Sequence, residues 1–266
     1  MIGRVSLAAL LLTIASPVWA DDGGLRDLCP DRPGKGTGTC TVDAGHFQVE
    51  VDAFDATLQH EGSVTTDTYI AAAPLLKYGV TDDWDIEVAF TPFEAVRTRD
   101  ASGSNTQTGI GDLFLRTKFN LSGNEGGALG IAFEPFLKIP TANKELGNGT
   151  VEGGALLPLA YDLGSGWSIA STPEVDVLRN QSRDGYHADI INVVAIGRAF
   201  DGGVTLGAEA WESSELDPAG STQEYSLDFD AAWQPDSDLQ LDGGINVGLN
   251  RATPDVQIYA GISRRF

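Results

Sequence analysis

The chain has 266 residues, with 38 Asp or Glu against 17 Lys or Arg, so its formal net charge at pH 7 is −21. Such an acidic chain, with no cluster of Lys and Arg to meet phosphates, does not fit a nucleic-acid-binding protein. The length is sufficient for one large domain, and the charge by itself says nothing about the fold.

The first 20 residues predict a cleaved secretory signal peptide. Arg4 precedes an apolar stretch of about a dozen residues, which ends at Val18-Trp19-Ala20. That stretch is too short for a membrane-spanning helix, although an uncleaved anchor is the alternative. After Ala20 no apolar run approaches the roughly 18 residues that such a helix needs. The exported chain is therefore either a soluble protein or a β-barrel.

The two cysteines, Cys29 and Cys40, lie in CPDRPGKGTGTC, ahead of the first predicted strand. Because an exported chain meets an oxidising compartment, we expect a disulfide that closes this short loop. A metal site is the alternative, but it needs two further ligands, and the nearby histidines, His46 and His60, lie in and after the first strand. We predict no metal or cofactor, and a short periplasmic segment over residues 21–45.

From residue 46 onward the sequence alternates between apolar and polar residues in stretches of about ten, the pattern of strands with one apolar face. Helical periodicity appears nowhere after the signal peptide. The twelve predicted strands cover 46–58, 66–79, 83–94, 109–121, 127–139, 153–163, 166–178, 186–200, 203–213, 223–234, 238–249 and 255–266.

The connections between these strands alternate in length. Short turns follow the even-numbered strands, as in GVTDD (79–83), whereas longer loops mostly follow the odd-numbered ones, as in 95–108 and 140–153. Bacterial outer-membrane barrels have this layout, with tight turns on the periplasmic side. The sequence therefore predicts an all-β fold over residues 46–266, a single antiparallel transmembrane β-barrel of about 12 strands with both termini in the periplasm.

The polar faces of the predicted strands are rich in charge. A barrel directs such faces into a wet lumen and its apolar faces into lipid, whereas a soluble exported β-sandwich shows the same periodicity inside out. The signal peptide, the loop alternation and the terminal Phe266 favour the barrel. Prolines within the strands predict bulges or strand ends. The predicted lumen residues are Arg116, Lys118, Lys138, Glu134, Asp112, Glu87, Asp85, Asp228, Asp230 and Asp242, together with Glu50, Asp52, Glu174, Asp176 and Glu209.

The basic residues Arg116, Lys118 and Lys138 are expected on one lumen wall, because their predicted strands are joined by a short turn. Opposed acidic and basic walls create a transverse field that guides polar solutes. Alternatively, the charges pair across a barrel that is largely filled by side chains and only hold its shape. A conducting channel and a non-conducting scaffold therefore both remain open.

An enzyme would need a nucleophile beside a base. The sequence has only three histidines and no G-x-S-x-G motif. The nearest candidate group is Ser182, His187 and Asp189. We predict that the protein is not an enzyme.

The last strand ends the chain with Val256, Ile258, Ala260, Ile262 and Phe266 on one face. Its ending, with Gly261, Ile262 and Phe266, resembles the C-terminal signal by which bacterial outer-membrane proteins are handed to the barrel-assembly machinery. Arg264 departs from that signal, in which an aromatic residue is commoner.

The whole mature chain resembles the outer-membrane barrels described as transporters or as phenol meta-pathway degradation proteins. The resemblance rests on the stretches 29–51, 75–90 and 109–121, of which the first is the most specific. It implies a porin-like protein of the bacterial outer membrane that contacts lipid and takes up aromatic or other small organic solutes passively.

Overall fold

The computed structural model describes residues 24–266, so the predicted signal peptide lies outside the described residues. The strands in this part of the chain are β1 (Phe47–Glu61), β2 (Val64–Thr81), β3 (Trp84–Phe90), β4 (Glu94–Asp100), β5 (Gly103–Gly109), β6 (Leu113–Ser122), β7 (Leu129–Ile139), β8 (Glu152–Leu156), β9 (Leu159–Gly164), β10 (Trp167–Arg179), β11 (Tyr186–Phe200), β12 (Val204–Glu215), β13 (Thr222–Asp236), β14 (Leu239–Gly248) and β15 (Val256–Arg265).

These strands form one antiparallel sheet that closes into a barrel, because β1 pairs with both β2 and β15. Twelve strand paths cross the barrel wall, since β3 continues as β4, β5 as β6, and β8 as β9. The prediction of a closed antiparallel barrel of about 12 strands is therefore confirmed. A closed barrel has no unpaired edge, as a sheet surrounded by lipid requires.

Prolines mark the interruptions of the barrel wall. Pro92 lies in the break between β3 and β4, and Pro158 lies in the break between β8 and β9. Pro74 lies within β2, between Ile70, where the pairing with β4 ends, and Leu75, where the pairing with β3 begins. Because proline has no N–H to donate to the ladder, strand pairing weakens or stops at such positions. The predicted strand ends are confirmed at Pro92 and Pro158, whereas Pro74, Pro135 and Pro173 lie within β2, β7 and β10.

The segment 95–108, expected to be a long loop, is instead part of a β-hairpin. β4 and β5 pair from Glu94↔Gly109 to Asp100↔Gly103, with a two-residue turn between them. The hairpin is polar and most of the β5 side chains are exposed, so no apolar face reveals these strands in the sequence. The barrel wall is consequently taller at this hairpin than the sequence predicts.

The two ends of the barrel otherwise differ as expected. One, which we call the short-turn end, has turns at 82–83, 165–166, 201–203 and 237–238, and also the longer turn 123–128. The opposite end, which we call the long-loop end, has the two-residue turns 62–63 and 101–102 and the loops 140–151, 180–185, 216–221 and 249–255.

The barrel has an apolar outside and a charged inside. Outward side chains such as Val194 and Phe229 are about half exposed, whereas the inward Glu50, Glu87 and Asp228 are only 1% exposed. A water-soluble protein would bury the first kind and expose the second, so the β-sandwich interpretation is wrong and the outer face suits lipid. The described residues contain no helix that is long and apolar enough to cross a membrane.

Candidate functional site: the lumen and the segment inside it

The N-terminal residues lie inside the barrel rather than below it. Residues 28–42, here called the lumen segment, form a loop that enters from the short-turn end and returns to it. At its exit Ala44 forms a bridge with Gly79 of β2. A Cβ at Gly79 would lie 2.1 Å from the carbonyl oxygen of Asp43, so only glycine permits this close approach. The sequence predicts a periplasmic segment over residues 21–45, whereas the structure places residues 28–42 within the barrel lumen.

The predicted disulfide between Cys29 and Cys40 is present, with the two Cα atoms 6.2 Å apart. It closes the base of the lumen segment. Within the closed loop the backbone N–H of Gly38 donates to Oδ1 of Asp31 (3.1 Å), which joins its two arms. A cross-link of this kind reduces the number of conformations that the loop can take outside its docked position.

Asp31 of the lumen segment faces the basic wall formed by β2 and β6. Its carboxylate lies 2.6 Å from Nζ of Lys77 and in direct contact with Nζ of Lys118. Both lysine side chains are fully buried. Burial alone would raise the pKa of Asp31, but the ammonium groups of Lys118 and Lys77 outweigh it and lower the pKa below the ordinary value.

The same two lysines also neutralise carboxylates of the barrel wall. Nζ of Lys77 lies 3.5 Å from Glu50 and 3.5 Å from Glu87, and Nζ of Lys118 lies 3.3 Å from Glu134. Charged groups this deeply buried are tolerated only in pairs or networks. The lysines and the surrounding carboxylates therefore form one buried network, which we call the central cluster: Asp31, Lys77, Lys118, Glu50, Glu87 and Glu134.

Arg32, the next residue of the lumen segment, faces β1 and β14. Its guanidinium lies 2.8 Å from Oδ1 of Asp242 and in direct contact with Asp52. A Cβ added at Gly261 of β15 would lie 2.2 Å from this guanidinium. Glycine in the last strand therefore leaves the room that the arginine occupies, a role separate from its predicted place in the assembly signal.

Lys35, at the tip of the lumen segment, contacts the acidic wall formed by β12 and β13. Its Nζ donates to Oγ of Ser226 (2.7 Å), lies 3.4 Å from Asp228 and stands 3.9 Å above the ring of Trp211. Its backbone N–H donates to the carboxylate of Glu209 at 2.7 Å. Burial lowers the pKa of Lys35, and the nearby Asp228 opposes that shift.

The lumen segment is thus complementary in charge to the walls around it. Its acid, Asp31, meets the lysines, and its bases, Arg32 and Lys35, meet carboxylates of β1, β13 and β14. Many of the predicted lumen charges therefore do pair across the barrel, but through this segment. Asp31, Arg32 and Lys35 thus meet in turn the walls formed by β2 and β6, by β1 and β14, and by β12 and β13.

Lys138 belongs to a second network, closer to the long-loop end. Its Nζ lies 2.5 Å from Glu152 and 3.3 Å from Asp112, and it donates to the side-chain oxygen of Asn148 at 3.0 Å. Lys138 lies on the strand next to Lys118, as expected, but the structure does not bring it into the central cluster. Its contacts fasten the loop 140–151 to the barrel wall.

Arg116 differs from the buried lysines because it is only partly engaged. Its guanidinium carbon lies 5.7 Å from the ring centre of Phe114 and 5.9 Å from that of Phe136, and Nη1 is 3.5 Å from Glu134. The side chain keeps 29% of its surface exposed, toward the lumen. Arg116 is therefore the predicted lumen base most available to a passing solute.

Two cavities flank the lumen segment. The first, of about 370 Å³, lies toward β1, β2, β3, β6, β14 and β15, and Arg116, Asp52 and Tyr259 border it. The second, of about 400 Å³, lies toward β10–β14, and Val193 and Asp230 border it. The same residues of the segment, 31–34 and 36–37, line both cavities. The segment therefore divides the lumen without filling it.

Residues 30–266 match the model of the protein family described as "Putative MetA-pathway of phenol degradation". The chain belongs to this family. No curated protein matches the chain in sequence. Membership of the phenol-degradation family confirms the resemblance noted in the sequence.

Several solved outer-membrane barrels share the fold of this protein. A channel from Pseudomonas putida F1 superposes with a TM-score of 0.63 at 16% identity, covering 88% of this chain and 99% of that one. The NanC porin gives 0.52 at 8% identity, covering 82% and 98%. The translocator domain of the autotransporter NalP from Neisseria meningitidis gives 0.54 at 10%, covering 84% and 89%. Identities this low show a common fold.

Most of the predicted lumen residues do face the interior of the barrel, where they form separate groups. Lys118, Glu87 and Glu134 join the central cluster, and Asp85 accepts from the backbone N–H of Val42 at 3.0 Å. Arg116 borders the first cavity, and Lys138 and Asp112 belong to the second network, near the long-loop end. Asp228 and Asp242 hold the lumen segment, and Asp230 borders the second cavity.

The sequence does not predict the partners inside the lumen. Asp31, Arg32 and Lys35 are assigned to the periplasm, and Lys77 is not singled out at all. The one available signal was the charged run DRPGK between the two cysteines, which has few apolar side chains to bury and therefore must find polar partners.

The candidate catalytic group is not assembled. Ser182 donates to Asp184, and Asp189 accepts from Oγ of Ser213 at 2.7 Å. His187 instead faces Glu215, with 3.0 Å between Nε2 and Oε1. The three residues therefore lack the mutual hydrogen bonds of a nucleophile, base and orienting acid.

Proposed function

We propose that the protein is a passive channel of the bacterial outer membrane, through which small organic solutes pass beside the lumen segment. The observation that carries the proposal is the pair of cavities on either side of that segment. Membership of the phenol-degradation family and the fold of outer-membrane channels support it.

The lining of the cavities suits a compact solute with an apolar body and a polar group. In the first cavity Arg116 lies beside Phe114, with the guanidinium carbon 5.7 Å from the ring centre. In the second cavity the wall includes small apolar side chains, such as Ala170 and Ala195, beside the carboxylate of Asp230. The second cavity has mostly apolar walls with a few polar groups, which is typical of sites for small organic molecules, whereas charged side chains such as Asp52 and Asp55 line much of the first. Aromatic compounds with one hydroxyl or carboxyl group are therefore the proposed solutes.

The proposal is tested by single-channel recording of the purified protein in a planar bilayer, with phenol or benzoate added to one side. We expect discrete conductance steps that the aromatic solute reduces reversibly. Removal of residues 24–40 should raise the conductance, because it empties the lumen. A parallel fractionation should find the protein in the outer membrane, with faster gel migration before boiling than after.

The second candidate is a non-conducting scaffold, which the extensive ion pairing of the lumen segment favours. It predicts no conductance for the intact protein and open conductance after removal of residues 24–40. Silent intact protein together with conducting truncated protein would therefore contradict the channel proposal.

A further inference from the structure

The strongest feature outside the lumen path is a group of metal-ligating side chains at the long-loop end. There the loops 180–185 and 216–221 meet above the first residues of β11. His187 lies between them with 3% of its side chain exposed. Its Nε2 is 3.0 Å from Oε1 of Glu215, and its Nδ1 is 3.5 Å from Oδ2 of Asp217 and 3.0 Å from Oδ1 of Asn180.

Every nitrogen of this ring therefore faces an oxygen acceptor. A neutral imidazole has only one N–H, so it donates on one side and leaves a lone pair facing oxygen on the other. A cation bound at that lone pair would remove the repulsion between the ring nitrogen and the oxygen. A metal ion meets this need, because it accepts the lone pair of one ring nitrogen and of the carboxylate oxygens together.

The donor atoms are close enough for one ion. One ligand atom from each of His187, Glu215 and Asp217 lies within 4.8 Å of the others. One imidazole nitrogen with two carboxylate oxygens is a set that Zn²⁺ and other divalent first-row metals accept. With the ion on Nε2 beside Glu215, Nδ1–H donates to the side-chain oxygen of Asn180 at 3.0 Å, so Asn180 orients the ring from outside the ligand set.

Two further features support a metal site. The carboxylate of Asp217 is oriented by the backbone N–H groups of Gln181 and Ala219, both at 2.7 Å. Such outer partners hold a ligand in its binding geometry. Glu215 keeps 41% of its side chain exposed, which leaves an entry path and room for water as a ligand.

We propose that His187, Glu215 and Asp217 bind one divalent transition-metal ion, for which Zn²⁺ is the probe. The ion would join the two loops at the long-loop end, since Glu215 ends β12, Asp217 lies in the loop that follows, and Asn180 lies in the loop after β10. The other carboxylate group in the described part of the chain that resembles a metal site, Asp31 with Glu87 and Glu134, is already neutralised by Lys77 and Lys118.

The test is calorimetric titration of Zn²⁺ into the EDTA-treated, detergent-purified protein without a histidine tag. We expect one equivalent to bind the intact protein. His187→Ala should abolish the binding, and Asn180→Ala should weaken it by about tenfold, as loss of an outer-shell partner does. The matched control is His60→Ala, which removes the histidine of the exposed pair with Asp255 (2.6 Å) at the same end and should bind as the intact protein does.

Glu215→Gln provides a second variant in which folding is little affected, because its side chain is partly exposed and keeps its shape. It should weaken Zn²⁺ binding while the unboiled gel migration stays normal. Two results would overturn the proposal: no binding by the intact protein, or equal binding by the intact protein and His187→Ala.

Discussion

Arg116 and Lys118 are two positions apart on β6 and both face the lumen, yet their surroundings give them different roles. Lys118 is completely buried among Asp31, Glu87 and Glu134, whereas Arg116 keeps part of its surface open to a cavity. Side-chain parity along a strand cannot distinguish these two cases. The difference arises from the lumen segment, which covers one residue and leaves the other accessible.

Replacing Lys118 with Met should destabilise the barrel, because three buried carboxylates lose a shared cation. Removal of one partner from such a network costs about 3–5 kcal/mol. The measurement is the temperature at which the fast-migrating gel band converts to the slow one. Lys144→Met, at an exposed site in the loop 140–151, is the control and should convert at the original temperature.

A double variant, Lys118→Met with Asp31→Asn, tests whether the loss comes from the network itself. We expect it to recover part of the stability, because residues in contact do not contribute additively. If Lys118→Met melts at the temperature of the intact protein, the central cluster is not what holds the barrel together.

Replacing Arg116 with Gln should instead change ion preference. The change removes a positive charge from an acidic, confined lumen, where charges act more strongly than in bulk water. The reversal potential in a salt gradient should move toward the value for cations. Arg198→Gln is the control, because that guanidinium stacks on Trp167 and Phe200 on the outer surface. A reversal potential unchanged by Arg116→Gln, with intact conductance, would remove Arg116 from the solute path.

Asp31 should make the docking of the lumen segment depend on pH. Its pKa is lowered by Lys118 and Lys77, so docking gains fully from the ionised carboxylate at any pH above the ordinary Asp value of about 4. The gain is lost only as the pH falls below that value and through the lowered one. We expect steady conductance between neutral pH and about pH 5, and an increase below pH 4.

Asp31→Asn separates this carboxylate from the many others that titrate in acid. The variant should show at pH 7 the raised conductance that the intact protein shows only in acid. Equal conductance of the variant and the intact protein at pH 7 would mean that the ion pairs of Asp31 do not hold the segment in place.

At the scale of elements, the lumen segment is held by its disulfide as well as by its charges. Replacing Cys29 and Cys40 with Ser should loosen it, since closing a loop of this length contributes about 2–3 kcal/mol. We expect a higher and noisier conductance. The intact protein should change in the same direction when dithiothreitol is added, while the double Ser variant should not respond. If neither treatment alters the conductance, the ion pairs alone keep the segment docked.

The strands were largely predictable from the sequence, and the contents of the lumen were not. Alternation locates β10–β15 well, because each has an apolar face that meets lipid. It misses the hairpin of β4 and β5, which is polar on both faces. It also cannot place residues 28–42, because their position depends on a few ion pairs with strand residues that are distant in sequence. Asp31, for example, is 87 positions from Lys118.

For the whole molecule, the acidic residues behind the net charge of −21 are distributed so that their mutual repulsion is limited. Most charged side chains of the barrel wall face the interior, where the lumen segment and the wall lysines neutralise many of them, and the outer surface is mainly apolar. The closed barrel and the family match both extend over nearly the whole chain. The division of the lumen into two cavities depends on only a few residues and is visible only in three dimensions.

Phe266 lies at one end of the seam at which β15 pairs with β1 and closes the barrel. Phe266 and Phe47 exchange two backbone hydrogen bonds across the seam, of 2.7 and 3.1 Å, and the Phe266 ring is half exposed on the outer side. Deleting Phe266 removes both hydrogen bonds, which together contribute about 1–3 kcal/mol, and also the terminal apolar side chain. We expect slower insertion, periplasmic accumulation and a lower temperature of gel conversion.

A second change separates the seam from the assembly signal. Phe266→Gly keeps the backbone pair with Phe47 but lacks the ring, so it should melt close to the intact protein and yet insert as slowly as the deletion. If recognition needs only the backbone of the last strand, Phe266→Gly should insert normally and the deletion alone should be slow. Pulse-labelled cells, analysed by unboiled gels, give both the rate of insertion and the amount of folded barrel. Normal folding of the deletion variant would show that neither the seam bonds nor the aromatic ring at the C terminus is needed for assembly.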